Sequence, residues 1–352
     1  MNKLIIFIGT LQSGGAERVV SEISAMYAEY YHEVIILTYY NVSVFYKIDS
    51  RVRVVCIETQ TGTIGKIRNS IWLRQFVKQE RPTVFLSFLM PFNMMAIVAL
   101  AFVCCKIVVC ERQDPSNVKT QFQRKLRNLL YHFCSRIEVQ TLRGYNYFSK
   151  SLQKKTVIIP NPNHITASER IRALSVNKEK RVVMVGRLIP LKNHQMVIRV
   201  FSRVHRVYPD YQLDIYGEGE LFNTLSEQIK HEGLNGIVML RGRSKDIATA
   251  IASARIFIQS SDVEGMPNSL MEAMALGIPS ISTDVSGARD IIDDGINGFI
   301  IPVNDEASLQ DRLLVLMGDE NKQVEFSKNT YTIFEKFDRQ DIFKLWRDLV
   351  TF

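Results

Sequence analysis

Two glutamates eight positions apart frame the stretch of the chain richest in chemical possibility, Glu264-Gly-Met-Pro-Asn-Ser-Leu-Met-Glu272-Ala-Met-Ala-Leu-Gly-Ile-Pro279. Pro267 and Asn268 are helix-start residues, and Gly277 with Pro279 is a stop. Glu264 then lies in the loop before the helix, and Glu272 on its second turn. A helix N-terminus offers free N–H groups and a positive dipole end to phosphate. Carboxylates accept hydrogen bonds from sugar and ribose hydroxyls, so the combination suits a nucleotide sugar. Two solvated acids on a surface helix have the same spacing, but the small apolar run after Glu272 favours a packed helix. Arg187 and Lys192 stand in a second loop, Gly186-Arg-Leu-Ile-Pro-Leu-Lys192-Asn, directly after an apolar strand. Two cations at the C-terminal end of a strand suit a diphosphate, or are plain surface charges.

The glycine loops say less. Gly9-x4-Gly14-Gly15 comes close to a P-loop but lacks the Lys and Ser/Thr that grip phosphate and magnesium. Its glycines can still bring backbone N–H groups near an anion, or simply make a tight strand-to-helix turn. Gly217-Glu-Gly219 begins a dinucleotide fingerprint that Phe222 breaks, so it reads as a structural turn and NAD gains little support. Five cysteines without a C-x-x-C pair argue against both a zinc module and a disulfide scaffold.

These loops need strands and helices to hold them. Leu4–Ile8, Glu33–Tyr39, Val52–Ile57, Thr83–Phe88, Ile107–Glu111, Arg136–Gln140 and Thr156–Ile159 read as strands, the first followed by the glycine loop and a helix. A turn cluster at Pro160-Asn-Pro162-Asn reads as a linker. The pattern then restarts with strands Arg181–Val185, Gln212–Tyr216, Val238–Arg241, Ile256–Gln259 and Pro279–Ser282, interleaved with helices and ending in a glycine-rich, hairpin-like segment to Pro302. The expectation is an α/β protein of two Rossmann-like, doubly wound domains facing across a cleft. They would span residues 1–165 and 166–335, with residues 336–352 a helix packing back towards the first domain. Met94–Cys105 is uncharged but too short to span a bilayer, and is expected to be a buried helix. No cleavable leader is apparent after Met1–Lys3, which points to a reducing compartment.

The net charge of +8 is unevenly divided. Residues 1–165 carry 21 Lys and Arg against 10 Asp and Glu, and the remainder carries 23 against 26. A basic half points to an anionic partner, either nucleic acid or a membrane surface.

Gly14-Gly15-Ala16-Glu17-Arg18, Arg187…Lys192, Glu264-x7-Glu272 and Ser286-Gly-Ala-Arg-Asp-Ile-Ile-Asp-Asp-Gly295-Ile-Asn-Gly298-Phe, in this order and spacing, resemble retaining GT-B glycosyltransferases of the GT4 class. Ser87-Phe-Leu and Cys110-Glu-Arg-Gln-Asp-Pro115 look like the bacterial subgroup that assembles O-antigen, capsule and exopolysaccharide repeat units on a lipid diphosphate. The resemblance implies a UDP-sugar donor (GalNAc, GlcNAc or Gal), a polyprenyl-diphosphate-linked saccharide acceptor, and no obligatory metal or other cofactor. It implies that Arg187 and Lys192 neutralise the leaving diphosphate and that Glu264 holds the donor sugar. Glu272 would bind the ribose, while Gly14, Gly15, Gly265 and the backbone of Met266, Asn268 and Ser269 approach the donor. Asp262-Val-Glu264 is then a spacing coincidence, not a metal motif.

One position departs from the pattern. Many relatives carry a His after the strand ending near Cys110; here the slot reads Glu111-Arg112-Gln113-Asp114, and Glu111, Arg112 and Asp114 become candidates for contact with sugar or acceptor. Helices around Lys66–Lys78 and Lys119–Arg136 mix cations with apolar residues and fit either an anionic membrane or ordinary packing on a sheet with a solvated basic face. The basic half favours the membrane, which would place the protein at the inner face of the cytoplasmic membrane. A UDP-sugar epimerase of the same architecture is the alternative enzyme, and a basic nucleic-acid-binding protein the alternative outside enzymes. The latter lacks a helix-turn-helix signature or an aromatic platform.

Overall fold

The computed structural model describes residues 2–57 and 62–351. The chain divides into two compact units, one running to Asn161 and taking in the chain again from Gln340, the other Pro162–Arg339. The sequence reading set the border at 165/166 and the tail at 336.

In the N-terminal unit the strands are β1 (Lys3–Ile8), β2 (Glu33–Thr38), β3 (Val52–Cys56), β4 (Val84–Phe88), β5 (Lys106–Glu111), β6 (Arg136–Val139) and β7 (Thr156–Ile158). Among the described residues they form one parallel sheet in the order β3-β2-β1-β4-β5-β6-β7. The unbroken apolar run Leu4–Ile8 explains the place of β1 at the centre, since it is fully buried on both faces. One face packs on the helix Gly15–Tyr27 and on the chain's last helix, Arg339–Val350, whose Trp346 is fully buried and stacks on Phe88 at 5.9 Å. The Tyr27 hydroxyl donates to the carbonyl of Trp346 at 2.6 Å.

The C-terminal unit holds β8 (Glu179–Val185), β9 (Gln212–Tyr216), β10 (Val238–Gly242), β11 (Ala254–Gln259), β12 (Ser280–Thr283) and β13 (Gly298–Ile301), again parallel, in the order β10-β9-β8-β11-β12-β13. In both units the strand order reverses beside the first strand, between β1 and β4 and between β8 and β11. Ligands of open α/β sheets bind at the C-terminal edge of such a switch point. The glycine loop follows β1, the Arg187–Lys192 loop follows β8 and the Glu264 loop follows β11, so each candidate motif stands at one of these edges.

Three expectations are corrected. The segment to Pro302 is not hairpin-like: a short helix, Ala288–Ile291, carries the chain over, and β13 pairs parallel to β12, Ile281 opposite Phe299. The glycines there, Gly287 and Gly295, make turns at positive φ on either side of that crossover. The helix expected from Met94 to Cys105 is Met90–Ala99, which ends early and leaves Phe102 fully exposed. The helix expected over Lys119–Arg136 is Gln121–Leu130, because β6 already begins at Arg136.

Candidate active site

The cationic loop after β8 is held by backbone. Gly186 N donates to Tyr216 O at 2.9 Å and Leu188 N to Glu218 O at 2.9 Å. This is where Gly217-Glu-Gly219 finds its use. Gly217 has φ +149°, and a Cβ there would collide with the Gly186 carbonyl, while one on Gly219 would collide with that of Leu188. Only glycines allow the two loops to lie so close. Arg187 is exposed, and Lys192 is partly buried.

Lys192 reaches across to the β11 loop. Its Nζ pairs with Oε1 of Glu264. The loops are tied by backbone as well, with Asp262 N donating to Leu191 O at 2.9 Å and Ser260 Oγ to Lys192 O at 2.7 Å. Asn193 Nδ2 donates to Asp262 Oδ1 at 3.2 Å, so Asp262 serves as a strut between loops. Glu264 Oε1 accepts two more hydrogen bonds, from Ser261 Oγ at 2.7 Å and Gln259 Nε2 at 3.1 Å. Oε2 takes no hydrogen bond from the described residues. Gln259 is buried and accepts in turn from Ser269 Oγ at 3.0 Å, linking the carboxylate to the first turn of the next helix. The sequence reading missed Gln259 and Ser261. Their only advance signal is their place at the end of a buried strand.

That helix is Asn268–Ala275, with Pro267, whose side chain makes no capping bond, as its N-cap. Met271, Ala273, Met274 and Ala275 are buried, which explains its small apolar sequence, and Glu272 is buried to 8% exposure on the same helix. Gly265 and Met266 lead into it and lie against Gly287, whose Cβ would come within 2.8 Å of the Gly265 carbonyl. The structure therefore gathers Lys192, Glu264, Gly265, Met266, Asn268, Ser269 and Glu272 around one helix N-terminus. His194, the first residue of the helix after Lys192, is buried, and that burial pushes its imidazole down to about 4, with Lys192 adding repulsion. It is neutral at pH 7 and puts no second charge beside the lysine.

In the N-terminal unit, Gly14 caps the helix Gly15–Tyr27 in extended backbone. The carboxylate of Glu17 folds back into the place a Gly14 side chain would take. Glu111, Arg112 and Asp114 are engaged internally. Glu111 is buried, accepts from the Tyr131 hydroxyl and lies 3.8 Å from Arg127; burial raises its carboxyl while Arg127 pulls it down. Arg112 is buried against Trp346, donates to Glu138 at 2.6 Å and bonds Asn161. Burial pushes the Glu138 carboxyl up to about 7 against the opposing pull of Arg112. Asp114 is partly exposed and accepts from Ser116 N at 2.8 Å and Oγ at 2.6 Å. A contact with acceptor by any of the three would have to replace these bonds.

No group of three or more His, Cys, Asp or Glu among the described residues is placed to hold a metal ion.

Residues 166–333, nearly all of the C-terminal unit, match the family described as Glycosyl transferases group 1. The chain is 28% identical, over 99% of its own length and 98% of the relative's, to a Campylobacter jejuni enzyme named GalNAc-alpha-(1->4)-GalNAc-alpha-(1->3)-diNAcBac-PP-undecaprenol alpha-1,4-N-acetyl-D-galactosaminyltransferase. It is 24% identical, over 99% and 100%, to the amylovoran biosynthesis glycosyltransferase AmsD of Erwinia amylovora. Its fold matches that of HepE from Anabaena in complex with UDP-glucose, with a TM-score of 0.78 at 18% identity over 99% of both chains. With a domain of the Glycosyl transferases group 1 family over residues 166–333 and a GT-B fold, the chain is a glycosyltransferase, a hexose-transferring enzyme.

Proposed function

We propose that the enzyme moves a sugar from a UDP donor, with retention, onto a polyprenyl-diphosphate-linked saccharide during assembly of a surface polysaccharide, at the inner face of the cytoplasmic membrane. The observation that carries this reading is the joining of Lys192 and Glu264 beside the N-terminus of the helix Asn268–Ala275. A diphosphate arriving there meets helix N–H groups and two cations, Arg187 and Lys192, and takes Lys192 from Glu264. The freed carboxylate, still held by Gln259 and Ser261, turns its hydrogen-bonding capacity to the donor sugar hydroxyls. Glu272, one helical turn on from Ser269, is assigned to the ribose. As the glycosidic bond breaks, negative charge grows on the diphosphate, and cations already in place stabilise it at no reorganisation cost. No metal is required for that step, since Arg187 and Lys192 supply the positive charge. Gly14 and Gly15 are assigned to approach a polar part of the substrates at the start of their helix, where the Glu17 carboxylate now lies. GalNAc, GlcNAc and galactose are the donor sugars proposed, and the full-length likeness to an enzyme named for GalNAc and undecaprenyl-diphosphate saccharides supports the first.

The test is a mass-spectrometric transfer assay with UDP-, GDP- and dTDP-sugars and synthetic lipid-diphosphate saccharides. A UDP-dependent mass increment is expected, unchanged by a chelator and lost in Lys192→Ala. Conversion of the donor without transfer would instead mark an epimerase. A requirement for added Mn2+ or Mg2+ would overturn the metal-free reading.

A further inference from the structure

The helices Gly62–Glu80, Met90–Ala99 and Gln121–Leu130 lie side by side on the second face of the N-terminal sheet. Leu73, Val77, Ala96 and Ile97 pack inward there, and Tyr131, next after the third helix, joins them. The outer sides of such helices are ordinarily polar. Here they are not. Ile64, Ile67 and Ile71, spaced to fall on one stripe, are 69%, 59% and 51% exposed. Beyond the second helix, Phe102 is held fully out of the protein by backbone at φ +61°. On the third, Phe122 and Leu129 face outward and Phe133 follows them, all more than half exposed. Arg127, which the sequence pattern places on the basic face, is instead the buried residue of this helix, set among the rings of Tyr131, Tyr147 and Phe148. The amphipathic pattern is thus inverted relative to a helix simply packed on a sheet.

Charge identifies what covers this layer. The three helices contain a single acidic residue, Glu80, and it is bonded to Lys3 at 2.8 Å and Arg53 at 2.5 Å. Lys66, Lys78 and Lys125 are exposed among the apolar tips. A second copy of the chain, docked by twofold symmetry, would set cations against cations. An anionic leaflet offers headgroups to the lysines and an acyl boundary to the isoleucines and phenylalanines. No described helix is long and apolar enough to cross a bilayer, so such an attachment would be to one leaflet.

We propose that this three-helix outer layer docks on an anionic lipid leaflet, Ile67, Phe102 and Phe122 entering the acyl boundary while Lys66 and Lys125 meet the headgroups. The use of such docking rests on the lipid-linked acceptor proposed above; the docking itself does not. The experiment is co-sedimentation of the full chain with phosphatidylcholine vesicles, with and without phosphatidylglycerol. Binding to the anionic vesicles is expected, weakened but not abolished by salt, and reduced more than about tenfold in the combined variant Ile67→Ser/Phe102→Ser/Phe122→Ser. A second readout does not depend on that variant folding: tryptophan emission of Phe102→Trp should shift to the blue on anionic vesicles and be quenched by brominated acyl chains. Absence of that shift, equal sedimentation of the variant, or a dimer that the variant abolishes would overturn the proposal. Transfer to a short-chain, water-soluble acceptor separates the two readings. Transfer without vesicle binding defeats the docking alone, and vesicle binding without transfer to any acceptor defeats the transfer reading alone.

Discussion

Glu264 shares one oxygen among Lys192, Ser261 and Gln259, and the consequence is measurable. Removing Gln259 takes away one donor to the carboxylate and the acceptor of Ser269 but leaves the charges of the site in place. In Gln259→Ala we expect kcat to fall about tenfold with the donor KM nearly unchanged, roughly the worth of one charge-assisted hydrogen bond. A proportional loss in KM would assign Gln259 to donor binding instead. Glu264→Gln should fall further, by about 10²–10³ in kcat. His194 brings a pH dependence to the same region. Burial holds the folded imidazole at about 4, below its usual 6.5, so between those values the unfolded chain binds the proton and the folded unit does not. Its stabilising contribution is therefore complete above about pH 6.5 and is lost as pH falls towards 4. Urea unfolding at pH 7 and pH 5 should show wild type losing about 2 kcal/mol more than His194→Gln.

The elements explain why these residues meet. β8 and β11 are neighbours at the reversal of strand order, so loops separated by some seventy residues in sequence share one edge of the sheet. The Gly217 turn then fixes how closely the cationic loop lies to β9. Gly217→Ala would put a Cβ into the Gly186 carbonyl, at a φ that costs a side chain about 1–3 kcal/mol before the collision is counted. We expect UDP affinity, read by calorimetry, to fall at least tenfold while the far-ultraviolet circular dichroism is kept. An unchanged affinity would show that the loop tolerates displacement of Arg187. On the N-terminal side, the buried pair Arg112–Glu138 and the cluster of Glu111, Tyr131 and Arg127 sit at and behind the C-terminal end of β5. Their side chains look available in the linear sequence because the strand appears to end in a run of polar residues. Of that run, folding buries Glu111 and Arg112 and leaves Gln113 and Asp114 at the surface.

At the scale of the molecule, the last helix of the chain belongs to the first unit. Trp346 is fully buried against Phe88, its carbonyl accepts from Tyr27, and Arg112 lies over its ring at 5.6 Å. Trp346→Ala should cost about 3–5 kcal/mol, read as a lower denaturant midpoint for the N-terminal unit, although the residue stands beyond the whole C-terminal unit in sequence. Much of this molecule is legible in its linear pattern. Continuous apolar runs of strand length, each followed by a glycine- or cation-bearing loop, specify parallel strands buried on both faces, because only such strands need no polar side. Glu264-x7-Glu272 and Arg187…Lys192 could be read as a phosphate and sugar site for a similar reason, since helix starts and strand ends carry local sequence signals. What the pattern could not carry are the facts that depend on which faces meet. That Gln259 and Ser261 hold Glu264, that Gly217 serves the Arg187 loop, that Arg127 turns inward while Phe102 and Phe122 turn out, and that Gly298–Ile301 joins β12 in parallel all follow from packing between segments distant in sequence. Periodicity marks a helix as two-sided, but burial is decided only when a neighbouring element takes one of the sides.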